Sequence, residues 1–579
     1  MKLIEALKIV QAPPPAASRR LRLSLLCGFT SLHLQTFLAA HLRSRMPEYA
    51  LEIKAGLFGD LIGNIERLSS SETDAVAVAL EWSDLDPRLG IRRLGGWRPQ
   101  QLSDIAVSAE SAAKRLQHAL EAASRDTTTI VSLPTLPLPP AFASRPLQSA
   151  TQELQLHCIV AQLAESLAGC PGIRLLSPQK LAEISAPSVR YDIKSDLQTG
   201  FPYTLGHASA MGELMASLIE DRSPLKGLIT DLDDTLWSGI VGEDGVDGIS
   251  WNLDDHSQMH GVYQQLLSSL AAAGALIGVA SKNDARIAAQ AFERPDLLLS
   301  KEDIFPFEVH WEPKSESIRR ILNTWNIAAD AVVFIDDTPA EVAEVQAAFP
   351  GLTCRLFPKS DPAAIWTLLH ELRDLFGKSV VTKEDLLRVR SIRNAAAWRD
   401  ESGTVQTPSD EFLRSAEARI SFDCGRSSAD LRAFELVNKT NQFNLNGKRY
   451  AEQEWRQFFA NPSSFLLTAA YDDKFGALGK VAVLMGTIDA GNVELRTWVM
   501  SCRAFSRRIE HQCLRYLFDE LGAERVSFEY SPTDRNGPMR DFLTSVAGTS
   551  LDTSVTLAKE DFSNRAPQLF HRVEASVHA

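Results

Sequence analysis

The chain has 579 residues, too many for one hydrophobic core, which implies about three or four domains. Its hydrophobic share of 45% and charged share of 23% are those of an ordinary globular protein, and no apolar run approaches the ~18–20 residues of a membrane span. A net charge of −13 excludes a general nucleic-acid binder, and an acidic partner would need a local basic patch.

The amino terminus, M-K-L-I-E-A-L-K-I-V, has charges spaced through it and is followed closely by prolines, so no secretory leader is expected there. Seven scattered cysteines, an odd number, fit a reducing cytoplasm better than a disulfide framework, and a cytoplasmic location without membrane contact is expected. Residues 21–30 (L-R-L-S-L-L-C-G-F-T) predict a strand running into a glycine turn, then a helix over 31–45. Further strands are expected at 50–54, 75–80 and 127–133, with a helix over 103–124, and the alternation resumes over 150–169 and 178–184. Strands alternating with helices imply a parallel α/β layer, and the Pro-rich stretch 134–146 reads as a strand-terminal loop within it. This first domain is placed at 1–205, and 206–222 is expected as a helix leading into the next.

The arrangement resembles the SGNH-hydrolase fold, in which a Ser follows the first strand and an Asp-x-x-His lies near the end. Here the corresponding turn is Cys27-Gly28-Phe29-Thr30-Ser31, without a Gly-Asp-Ser signature. The end of the domain offers Arg190-Tyr191-Asp192 and Gly206-His207 instead of Asp-x-x-His. No nucleophile–base pair is visible. A docking or structural role is therefore expected in preference to hydrolysis.

Residues 226–236 read K-G-L-I-T-D-L-D-D-T-L. An apolar run delivers Asp231 and Asp233 at the end of a buried strand, with Thr235 two residues on. Three acids in four residues cannot be buried unpaired without a large desolvation cost, so the chain is expected to leave the sheet at Asp231. Carboxylates gathered at the carboxyl end of a parallel strand suit Mg²⁺, a hard cation that keeps several waters. Taken alone, the stretch also admits a second, weaker reading as an acidic surface turn. Three later stretches change that. Residues 275–283 (A-L-I-G-V-A-S-K-N) form a second apolar strand ending in Ser281, Lys282 and Asn283. Lys314 follows in W-E-P-K-S before an amphipathic helix over 317–325, and 331–338 (A-V-V-F-I-D-D-T) is a third strand ending in Asp336 and Asp337.

This order of motifs resembles the haloacid dehalogenase (HAD) phosphotransferase superfamily. The resemblance implies Asp231 as nucleophile, Asp233 as general acid/base, and Mg²⁺ held by Asp231, Asp233, Asp336 and alternatively Asp337. Thr235, Ser281, Lys282, Asn283 and Lys314 are then the phosphate-binding candidates. HAD caps are inserted after the first motif or before the Lys. The first interval holds only a flap-sized Gly-rich loop, 238–249, and the second has room for a helix, a short strand and turns. A nearly capless, wet site is expected, open to a bulky or tethered substrate.

The last third begins with a charged helix over 384–400 and a polar linker over 400–409. Strands are expected at 418–423, 464–471, 479–488, 493–501 and 525–530, with helices at 428–438, 509–521 and 538–546, the last closing the domain. The order resembles the GNAT acyltransferase fold, whose loop before the helix reads Arg/Gln-x-x-Gly-x-Gly/Ala and binds the pyrophosphate of coenzyme A at the helix N-terminus. Here the loop is Arg503-x-x-Ser506-x-Arg508, with neither glycine. A single phosphate, such as that of a phosphopantetheine arm, needs less room, and Arg503, Arg507 and Arg508 are candidate partners for it and for an acidic carrier. The same residues also read as a solvated basic helix start. Cys502 just before them is a candidate acyl relay, or else a buried structural thiol.

Residues 230–245 (T-D-L-D-D-T-L-W-S-G-I-V-G-E-D-G), 334–341 (F-I-D-D-T-P-A-E), 438–445 (N-K-T-N-Q-F-N-L) and 501–503 (S-C-R) together resemble the FkbH-like family. Asp234 and Thr338 stand where that family often has Asn. The resemblance implies a bifunctional glyceryl transferase/phosphatase of polyketide assembly. Such an enzyme takes 1,3-bisphosphoglycerate, a small phosphorylated three-carbon acid, removes phosphate, and loads the glyceryl unit on an acyl carrier protein. The expected architecture is α/β and multidomain. An SGNH-like domain at 1–205 precedes a HAD-like Rossmannoid domain with minimal cap at 222–376 and a GNAT-like α+β domain at 384–579. Two other readings stay open: a phosphatase of phosphorylated carrier-bound groups, and a non-catalytic carrier-binding scaffold.

Overall fold

The computed structural model describes residues 1–13, 19–69, 72–378, 381, 385, 392–393, 410–426, 428, 430–440, 442–474, 476–501, 504–533, 536–548 and 555–577. The expected helix over 384–400 and linker over 400–409 lie almost wholly outside these residues, as do Cys502 and Arg503. The chain divides into two units, Met1–Ser223 and Pro224–Ala579. Together they carry parallel and mixed sheets with helices, a mixed α/β multidomain architecture.

In the first unit, β1 (Arg19–Cys27), β2 (Tyr49–Ala55), β3 (Ala75–Ala79), β4 (Thr128–Ser132) and β5 (Ile173–Leu175) form one parallel sheet in the order β2-β1-β3-β4-β5. β3, the run A-V-A-V-A, is buried at every position because helices cover both faces. Ala75, Ala77 and Ala79 face a core with Phe37, Met211 and Met215, while Val76 and Val78 face one with Leu116, Leu120 and Leu163. Helix Leu205–Glu220 belongs to this unit. It packs on helix Leu32–Arg45 at Gly212, where a Cβ would meet the Leu38 backbone nitrogen at 2.9 Å. The first unit accordingly runs past the expected boundary at 205 to Ser223.

The second unit opens with another parallel sheet. β6 (Gly227–Thr230), β7 (Leu276–Ser281), β8 (Ile304–Val309), β9 (Val332–Asp336) and β10 (Thr353–Leu356) lie in the order β10-β9-β6-β7-β8. Chain order reverses at β6, so β6 and β9 are adjacent and all their register pairs are parallel. That reversal opens a crevice beyond the strand ends, the usual ligand position in such sheets. Between β6 and helix Gln258–Ala272 there is only the short helix Val241–Asp244 and a bridge, Ser238 to Ser250. Between β7 and Lys314 there is helix Ala285–Ala291, and β8 joins the main sheet. Neither interval holds a separately folded insert.

The third sheet is mixed. β11 (Arg419–Gly425), β12 (Phe443–Asn444), β13 (Ser464–Asp473), β14 (Gly476–Asp489), β15 (Asn492–Met500), β16 (Arg525–Phe528), β17 (Val555–Ala558) and β18 (Arg572–Val577) take part. Its path is β17-β16-β15-β14-β13-β11-β18, with β12 on β15. The helix at the expected end, Gly537–Ala547, does not close the domain, because β17 and β18 follow and supply its two edges. β15 is shared along its length: Asn492 to Leu495 pair with β16, whereas Val499 and Met500 pair with β12. β12 fills the gap where β16 leaves β15. Asn446 stitches both sides, its amide donating to the Arg496 and Glu529 carbonyls at 3.0 Å each. The Asn536 amide donates to the carbonyls of Asn444 at 3.0 Å and Ser531 at 2.9 Å. The amide-rich stretch 438–446 thus answers backbone groups that an interrupted ladder leaves open.

Candidate active site

The carboxyl ends of β6, β7 and β9 bring most of the expected residues together. Asp231 directly follows β6, and its backbone nitrogen donates to the Ile335 carbonyl at 3.0 Å, fixing it against β9. Asp336 ends β9 and is fully buried, and one of its oxygens accepts the Thr338 backbone N–H at 2.9 Å. Lys314 opens helix Lys314–Trp325 and is 3% exposed. Its ammonium bridges Asp231 Oδ2 at 2.7 Å and Asp336 Oδ2. Burial alone would lower the Lys314 pKa, but the two carboxylates outweigh it and the pKa is raised, keeping the ammonium charged. Burial, with the Asp231 charge adding, pushes the Asp336 carboxyl up to about 6.

Asp231 Oδ1 is buried and has no hydrogen-bond partner among the described residues. Carboxylate oxygens of Asp231, Asp336 and Asp337 lie within 4.8 Å of one another. An orphaned oxygen beside two more carboxylates is a donor set that fits a hard divalent cation. Asp337 stands where the alternative ligand was expected.

Asp233 turns the other way. Its Oδ1 accepts from Trp237 Nε1 at 2.9 Å and the Val241 backbone N–H at 3.0 Å, and its Oδ2 accepts from Asn283 Nδ2 at 2.8 Å. Burial raises its pKa against the pull of these bonds, and the Asp231 and Asp234 charges add to the rise. A half-buried carboxyl with a raised pKa, two residues from Asp231, can hold and deliver a proton.

Several phosphate-binding expectations change. Ser281 ends β7, 3% exposed, at the same edge as Asp231. Asn283 is 4% exposed and donates its amide N–H to Asp233. Lys282 is paired to Glu341 at 2.6 Å. Thr235 is fully buried with its hydroxyl unpartnered; its carbonyl faces the His260 ring at 3.0 Å, so it sits beneath the turn and not at its mouth. Lys359, after β10, was not anticipated: its ammonium lies 2.7 Å from Asp234 Oδ2 and 2.8 Å from Asp337 Oδ2. A lone lysine in a polar loop carries no pattern that would reveal this. Trp237 and Glu341 lie inside stretches singled out in the sequence, although their contacts were not legible there.

The carrier-binding expectations fare differently. Arg507 is 3% exposed and faces Asp473 at 3.5 Å, with Tyr471 beneath its guanidinium. Arg508 pairs with Asp410 at 2.7 Å and donates to the Gln568 carbonyl at 2.8 Å. Both guanidinium groups are thus already engaged by other residues of the second unit, where free anion-docking groups were expected. Cys502 and Arg503 lie outside the described residues.

In the first unit, a second polar cluster gathers beyond β3 and β4. Glu81 accepts from Thr135 Oγ1 at 2.6 Å, Tyr203 at 2.7 Å, and the Thr135 and Leu136 backbone N–H groups at 3.2 Å. The His207 ring spans Thr135 and Ser185 at 3.0 Å each, and Arg190 donates to the carbonyls of both. These groups satisfy one another and tie the strand ends together. Burial, with the Asp84 charge adding, pushes the nearby Cys27 thiol up to about 12, leaving no thiolate for nucleophilic work. At the next residue, a Cβ on Gly28 would lie 1.7 Å from Asp84 Oδ1, whose partner oxygen accepts the Glu81 backbone N–H at 2.8 Å.

The architecture is that of parallel α/β sheets with an acid cluster at a strand-order reversal. It is similar to the crystal structure of the N-terminal part of the protein BF1531 from Bacteroides fragilis, containing phosphatase domain, complexed with Mg. The TM-score is 0.52 at 21% identity, over 66% of this chain and 100% of that one. At that identity the likeness establishes fold. No protein-family model and no curated protein matches the chain. Among the described residues, no helix is long and apolar enough to cross a membrane.

Proposed function

We propose that the chain is a HAD-type, Mg²⁺-dependent phosphotransferase acting through an aspartyl-phosphate on Asp231. The observation that carries this is Lys314 clamped between Asp231 and Asp336 at the β6/β9 crevice, beside the unpartnered Asp231 Oδ1. Asp231, Asp336 and Asp337 are the residues that would hold Mg²⁺, and the Mg in the similar phosphatase-domain structure supports this. When bound, the ion offsets charge on the phosphoryl oxygens. Asp231 attacks phosphorus, Asp233 gives its proton to the leaving oxygen, and the same residue then takes a proton from the water that frees phosphate. Lys314 and Ser281 face the transferred group.

The finer reading is glyceryl transfer from 1,3-bisphosphoglycerate to an acyl carrier protein. The phosphate ester passes through Asp231 to water. The acyl phosphate carbonyl is taken by the carrier's phosphopantetheine thiol, which loses its proton as a second phosphate departs. An SGNH-like first domain serves docking, and a GNAT-like third sheet serves the transfer. The lack of a separately folded insert in either cap interval supports a tethered substrate. With Arg507 and Arg508 engaged elsewhere, the transfer half rests on the sequence resemblance.

Incubation with Mg²⁺, 1,3-bisphosphoglycerate and a candidate carrier, read by mass spectrometry, tests both halves. A glyceryl adduct on the carrier is the expected result. Phosphate release without an adduct removes the transfer half, and no product at all with intact Mg²⁺ binding overturns the reading.

A further inference from the structure

Lys359 joins three loops. Its ammonium reaches Asp234, in the turn after β6, and Asp337, just after β9, while Lys359 itself follows β10. Each contact is held from behind. Asp234 has a left-handed backbone, φ 52°, and its Oδ1 accepts the Gly239 N–H at 2.9 Å. The Phe357 N–H donates to the Asp336 carbonyl at 2.7 Å, and the Lys359 N–H to the Phe357 carbonyl at 3.0 Å. Asp337, its side chain 9% exposed, has no room to swing freely. One of its oxygens belongs to Lys359, and the other meets the Thr338 hydroxyl at 3.3 Å.

This matters because Asp337 is the third carboxylate of the cation cluster. Mg²⁺ is small, wants octahedral geometry and prefers one or two carboxylates with waters. Ca²⁺ accepts six to eight oxygens and tolerates bidentate carboxylates. A third carboxylate free to give both oxygens would move the cluster toward the larger ion.

We propose that Lys359 is a positioning residue that sets cation choice, holding Asp337 Oδ2 so that the cluster suits Mg²⁺ over Ca²⁺. The inference rests on the reading of this cluster as the metal centre. Removing the ammonium strengthens attraction for both ions through charge, and releases a ligand oxygen that favours Ca²⁺ alone.

Isothermal titration of the full-length chain with Mg²⁺ and, separately, Ca²⁺ measures the ratio of the two affinities. In K359M that ratio should move toward Ca²⁺ by about tenfold or more, while K359R, which keeps the charge, should leave it near the wild-type value. Should K359M not fold, K359Q, with an amide but no charge, is read the same way. An unchanged ratio in a folded variant whose parent binds Mg²⁺ overturns the role of Lys359 alone. A parent that binds neither ion removes the metal centre and this inference with it.

Discussion

Replacing Lys314 by Met is the sharpest test of the clamp. The Lys314 side chain is 4% exposed, that of Asp231 9% and that of Asp336 0%, so water cannot stand in for the lost ammonium. Removing one partner from a buried ion pair costs about 3–5 kcal/mol, because the other charge stays behind unpaired. At ~2–4 °C per kcal/mol for a domain near this size, the metal-free melting midpoint should fall by roughly 6–20 °C. Scanning fluorimetry with and without Mg²⁺ reads this directly. Mg²⁺ should restore more of the loss in K314M than it adds to the wild type, since the ion supplies the missing positive charge. Adding Asp336→Asn to K314M should recover part of the loss without metal, with a coupling of about 1–3 kcal/mol. The pH dependence has a definite sign. The folded Asp336 carboxyl titrates at about 6 against 3.8 unfolded, so the folded chain binds the extra proton in that window. Metal-free stability therefore falls as pH rises from 3.8 to about 6, and in K314M the fall should extend to higher pH. A metal-free K314M within about 1 kcal/mol of wild type, with no greater response to Mg²⁺, would refute the clamp.

Asp233→Asn should slow turnover by about 10²–10⁴-fold, since it removes the proton donor while leaving Asp231 and Lys314 in place; steady-state phosphate release checks it. The His207 ring is held near pKa 3 by burial, with the Arg190 charge adding, against 6.5 unfolded. Stability from the neutral ring is full above pH 6.5 and is lost as pH falls toward 3. His207→Gln should flatten that acid limb in a melting series, and an unchanged limb would rule out the ring as its source. Asn536→Ala should cost about 1–3 kcal/mol and raise hydrogen exchange at residues 443–445, because the buried Asn444 carbonyl, together with that of Ser531, loses its donor. Unaltered exchange there would show that β12 is held by other means.

Much of this was legible in the sequence because parallel strands announce themselves. The runs at 75–80 and 275–280 are continuous and apolar, since both faces of such a strand are covered, and 127–131 (T-T-T-I-V) is β-branched throughout. The acids at 231, 233 and 336 were legible because ionised groups at the end of an apolar run have few structural uses. What stayed hidden were partners distant in sequence. Whether Asn283 serves phosphate or Asp233 depends on where the 238–249 loop places Val241 and Trp237, and no local spacing encodes that. Arg507 looked free because three arginines stand within six residues, yet Asp473, a strand terminus, had already claimed it. Strands β17 and β18, V-T-L-A and R-V-E-A-S-V, do alternate, but runs of four and six residues are too short for alternation alone to tell a strand from a loop.

The crowding at Gly28 bears on what the first unit can become. A serine installed at that turn would drive its Cβ into Asp84, and Asp84 cannot step aside without abandoning the Glu81 backbone it braces. An esterase-like nucleophile at that turn therefore calls for a change at Asp84 as well as at Gly28.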